Sequence, residues 1–119
     1  FGKMVVKKAV GDKKKLSKHI HKHYYKHLET KKDRKGCYVF PKQIIGSGEW
    51  LESLWKKREN INSIPTTIIW GMKDIAFREQ ELNYWIEHWN KPKVVKLEET
   101  GHFPQEEEPE TVIKELKIE

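Results

Sequence analysis

Asp74 lies four residues beyond Trp70, and His102 four beyond Glu98, each just past a short β-branched run. A carboxylate that accepts a hydrogen bond from imidazole fixes the ring's tautomer and stabilises its protonated form, leaving the other ring nitrogen free as a general base. That is the chemistry this pair could perform. On spacing alone, a turn role is the better account, because Asp and His are common after strands and both residues follow a glycine-containing turn sequence.

Other reactive side chains point less clearly to a site. His19, His23 and His27 recur every four residues, with His21 nearby, but no Cys or carboxylate completes a zinc set and a solvated His/Lys face explains the pattern. No metal is expected. Cys37 is the only cysteine, so no internal disulfide can form. Its Arg/Lys-rich neighbourhood could lower its pKa, but a half-buried structural cysteine is the preferred reading. Ser47, in Gly46-Ser47-Gly48, lacks the second spacer of a nucleophile elbow and follows no core strand. Trp50 and Trp55 could aim indole N–H groups into a substrate pocket, although packing within one helix explains them as well.

Two elements must position Asp74 and His102. Residues 66–70 are uncharged and largely β-branched, and Val94-Val95-Lys96-Leu97 forms a second short run, so each reads as a strand. Between them, Leu82, Trp85, Ile86 and Trp89 mark a helical stripe over 78–89 that Pro92 ends. Strand, helix and strand in that order form a parallel unit, and chemistry in such sheets gathers outside the carboxyl ends of the strands. Gly101 marks a sharp turn, and 109–118 reads as a last helix with Val112, Ile113 and Leu116 facing inward. Upstream, Leu16, Ile20, Tyr24 and Leu28 predict a helix over 12–30 capped by Asp12. The segment 37–40 reads as irregular because Pro41 forbids a helix through that point. Residues 49–59 carry the spacing of a short amphipathic helix.

Composition adds two constraints. The chain has 119 residues, 36 % apolar and 35 % charged, with five Trp. That is a lean core for so many large aromatics, and it fits a piece better than a self-sufficient whole. Residues 1–35 carry +10 and the remainder −4, which separates the chain into two regimes. The basic opening admits an alternative role as a module for nucleic acid or anionic surfaces. However, Arg34 is its only arginine, and sequence-specific readers lean on arginine. No apolar run approaches the roughly 20 residues of a membrane span, no secretory leader opens the chain, and cysteine usage suggests a cytoplasmic setting.

From residue 64 onward the chain resembles the C-terminal part of the α/β-hydrolase fold. The likeness is carried by Ile64-Pro65 before the first strand, by Trp70-Gly71-Met72-Lys73-Asp74, and by Gly101-His102-Phe103-Pro104-Gln105-Glu106-Glu107-Glu108-Pro109-Glu110. The motifs occur in the family's order, with one helix and one strand between them. The resemblance implies that Asp74 is the triad acid and His102 the base. It places residues 1–60 as a helical cap and 61–119 as the C-terminal portion of the core, an incomplete α/β-hydrolase fold. Through the stretch from Tyr25 to Arg34 and on to Phe40-Pro41-Lys42-Gln43-Ile44 the cap is most similar to the haloalkane dehalogenase branch, and epoxide hydrolases carry similar caps. No elbow nucleophile is present, so the chain alone is expected to be inactive. The implied substrate is a small halogenated alkane, ester or epoxide, handled without cofactor or metal. No specific nucleic acid and no membrane are expected as partners, whereas self-association through uncovered apolar surface is.

Overall fold

The computed structural model describes residues 2–116. In chain order it contains α1 (Gly2–Ala9), α2 (Lys18–Tyr25), α3 (Lys35–Gly46), α4 (Gly48–Lys56), β1 (Thr67–Gly71), α5 (Glu79–His88), β2 (Lys93–Leu97), α6 (Pro104–Glu107) and α7 (Pro109–Leu116). Short 3-10 turns follow α2 and α4.

The β-branched runs pair as a two-stranded parallel sheet, with Thr67 opposite Lys93 and Gly71 opposite Leu97. In that register both strands end at the same level, so the loops that follow them start side by side. The intervening α5 begins where Glu81 reaches back to the main-chain N–H of Arg78 at 2.7 Å, one half of a capping box. Its Leu82 is fully buried. Trp89, just past the helix, ties it to the sheet entrance by donating its indole N–H to Thr66 Oγ1 at 2.8 Å. The expected strand, helix, strand and helix therefore form in order, with parallel strands.

Four sequence-based expectations need correction. The predicted helix over 12–30 is Lys18–Tyr25 with a 3-10 turn, because Ser17 caps it by accepting from Ile20 N, while Asp12 caps only a tight turn through Lys14 N. The segment around Pro41 is helical, not irregular. Proline's fixed φ is close to the helical value, so within α3 it removes one N–H without reversing the chain. Cys37 lies in that helix and is exposed, not half-buried. In α7, Ile113 and Leu116 are more than half exposed, since a two-stranded sheet offers little surface to cover them. Lys117 and Ile118, expected to end this helix, lie outside the described residues.

An element that the sequence reading missed supplies most of the core. Val6, Ala9 and Val10, in and just after α1, are buried, and with Leu82 they are the buried apolar side chains among the described residues. Their spacing of three and then one places them on one helical face, a signal that was present but lay within the lysine-rich opening.

Candidate functional site

The two loops that leave the sheet are joined through their main chains. Met72 N donates to Leu97 O at 3.0 Å and Lys73 N to Thr100 O at 2.9 Å, with Lys73 and Glu99 paired through their side chains above them. A third segment crosses here, where His102 N donates to Ala9 O at 2.8 Å. Three glycines permit the crossing. A Cβ on Gly71 would lie 2.0 Å from the Gly101 carbonyl oxygen, one on Gly101 2.2 Å from the Ala9 oxygen, and one on Gly11 2.4 Å from the Glu99 oxygen. Gly101 is thus required by close approach of backbone, since no glycine among the described residues has positive φ.

This lacing brings Asp74 and His102 into contact. His102 Nδ1 donates to Asp74 Oδ2 at 2.7 Å, and the Asp74 side chain is 9 % exposed against 33 % for His102. The other carboxylate oxygen of Asp74 accepts from Ala76 N at 2.8 Å and Phe77 N at 3.1 Å. Trp70 pins the far side of this loop by donating its indole N–H to Phe77 O at 3.1 Å. Because an ionised carboxylate only accepts, Nδ1 carries the proton and Nε2 presents its lone pair. Phe77 lies nearly parallel to the imidazole at 5.5 Å, and Phe103 meets it edge-on at 5.1 Å. The ring is therefore oriented by one carboxylate and flanked by two phenyl groups.

Behind the histidine, three successive glutamates each hold a different part of residues 11–24. Glu106 accepts from the Tyr24 hydroxyl at 2.7 Å, Glu107 accepts main-chain N–H groups, and Glu108 pairs with Lys15. Burial, and then the bond to Glu106, push the Tyr24 hydroxyl up to about 12, and its ring packs on Phe103 at 5.0 Å. These contacts escaped the sequence reading because a run of acids after a histidine looks like a solvated helix start.

The remaining candidates lie elsewhere. Trp50 is 60 % exposed. Trp55 lies against Tyr84, Trp85 and His88 of α5 and under the Arg58 guanidinium, beside an open apolar cleft of about 790 Å³. Ser47 joins α3 to α4. His19 and His23 meet edge-to-face at 4.6 Å, and among the described residues no group of three or more His, Cys, Asp or Glu is placed to hold a metal ion. Among those residues, no helix is long and apolar enough to cross a membrane.

Comparison with known proteins adds independent findings. Residues 16–109 match the family described as alpha/beta hydrolase fold. Over 81 residues, 66 % of this chain, the sequence is 33 % identical to haloalkane dehalogenase 2 of Mycobacterium bovis and, equally, of Mycobacterium tuberculosis. The match spans 28 % of the length of those relatives.

Proposed function

The chain belongs to the alpha/beta hydrolase fold family, and on that premise we propose that it carries the acid and the base of a hydrolase site, Asp74 orienting His102, while the nucleophile stands on a segment outside these 119 residues. The observation that carries the reading is the 2.7 Å bond from His102 Nδ1 to a carboxylate whose second oxygen is occupied by two main-chain N–H groups. Such an acid holds one tautomer and stabilises imidazolium, and Nε2 is then the general base.

The likeness to haloalkane dehalogenase 2 supports a dehalogenase-type reaction. An upstream aspartate attacks the halogen-bearing carbon, a C–O bond forms as the carbon–halogen bond breaks, and halide leaves. Nε2 of His102 takes a proton from water, which cleaves the resulting ester at its carbonyl carbon. With an upstream serine in place of the aspartate, the same two residues would serve an esterase, and a cap of this kind also suits an epoxide hydrolase. In this reading residues 1–60 form the cap, 61–119 the C-terminal part of the core, and the setting is cytoplasmic. Trp50 and Trp55 are the cap tryptophans proposed to offer an indole N–H to substrate, and Trp55 lines the open apolar cleft beside α5.

The test is bromide release from 1-bromobutane by the intact protein, alongside hydrolysis of p-nitrophenyl acetate. Bromide release that disappears in His102→Ala is expected. Ester cleavage alone would reassign the nucleophile to serine, and unchanged turnover in His102→Ala would remove this site from the chemistry.

A further inference from the structure

Glu107 is a carboxylate with 4 % exposure in a molecule with little interior. A buried charge is costly unless strong hydrogen bonds replace its water. Here three main-chain donors do so: Oε2 accepts from Gly11 N at 3.0 Å and Asp12 N at 2.9 Å, and Oε1 accepts from Gly101 N at 2.9 Å. Two of these donors are more than 90 residues away in sequence, and the third immediately precedes His102.

The consequence lies in the peptide units around the histidine. Gly101 N–H is drawn to Glu107, and the next N–H, that of His102, is drawn to Ala9 O. Glu107 also fixes the segment that offers Ala9, since it grips Gly11 and Asp12 two and three residues further on. The histidine loop is thus fastened directly to the carboxylate and again through the segment that the same carboxylate holds. A neutral amide could not replace it, because it has one acceptor oxygen and its NH2 would face an N–H.

Resting on the hydrolase reading above, we propose that Glu107 is a positioning residue for His102, a buried anion that clamps residues 11, 12 and 101 and so sets where the imidazole stands relative to Asp74 and the reacting atoms. Catalytic geometry is sensitive on this scale, and a displacement of about 1 Å can cost on the order of 10²-fold in rate.

The experiment uses the intact protein with Glu107→Gln and Glu107→Asp. For bromide release from 1-bromobutane, Glu107→Gln is expected to lower kcat about 10²-fold with KM within about twofold. Glu107→Asp, which keeps the charge, is expected to regain at least about tenfold of the loss. Independently of turnover, hydrogen exchange at Gly11, Asp12 and Gly101 should accelerate, and the His102 Nδ1 proton resonance should broaden in both variants. Wild-type kcat in Glu107→Gln while His102→Ala is inactive would overturn the proposal and leave the hydrolase reading intact. Activity surviving in His102→Ala would overturn that reading instead, with the exchange and imidazole signals still judging the clamp. If Glu107→Gln fails to fold, Glu107→Asp decides: an unmoved Nδ1 resonance and unmoved kcat in a folded protein would overturn the proposal.

Discussion

Asp74 spends both oxygens before any substrate arrives, one on His102 and one on the N–H groups of Ala76 and Phe77. Asp74→Asn keeps the shape but can present an NH2 to the ring and favour the wrong tautomer. In the intact protein kcat should fall by up to about 10⁴-fold, measured beside a circular dichroism spectrum that stays native. Tyr24 gives a second residue-scale expectation. Its proton is held up to about 12 in the folded chain against an ordinary 10.0, first by burial and then by Glu106. The folded state therefore binds the proton more tightly. The resulting stability is complete below pH 10 and is lost as pH rises through about 12. Denaturant midpoints at pH 9 and pH 11.5 should fall less in Tyr24→Phe than in the parent, and equal losses would show that the hydroxyl does not contribute.

At the level of elements, the parallel strands and the loops beyond them were legible because 66–70 and 94–97 are short, rich in β-branched residues and bounded by turn residues, and their meeting follows from both strands ending at Gly71 and Leu97. The helical part was less legible. Pro41 is a strong punctuator whose effect was overstated, since one missing N–H does not stop a helix whose φ it already matches. Glu107 was illegible because its partners are main-chain groups, and an N–H in a distant loop leaves no trace in side-chain spacing. Gly101 was read as a turn residue, whereas the fold requires it for three-way backbone contact. Gly101→Ala should therefore destabilise by about 3 kcal/mol, the upper part of the ordinary range for overpacking. Thermal unfolding would measure it, and a melting temperature within a degree of the parent would mean that the crossing can open to admit a methyl group.

For the whole molecule, the accessible area is 9715 Å², against about 6,800 Å² for a compact monomer of this size. The radius of gyration of 16.5 Å likewise exceeds the roughly 13.5 Å of a compact domain of equal length. Phe40, Ile45, Trp50, Ile113 and Leu116 are among the large apolar side chains at least half exposed. Patches of this kind drive association. The isolated chain should elute on sizing as dimers or larger species and bind a hydrophobic dye, and a monodisperse monomer that leaves the dye dark would contradict that expectation. The place where residues 9–12 meet the histidine loop also governs how such a protein can be recombined. If residues 1–60 are the cap proposed above, exchanging it between relatives with a seam ahead of residue 9 would carry away the strap that seats His102, whereas a seam after residue 12 leaves that strap with its own core. The modular border for engineering thus falls about a dozen residues inside the proposed cap.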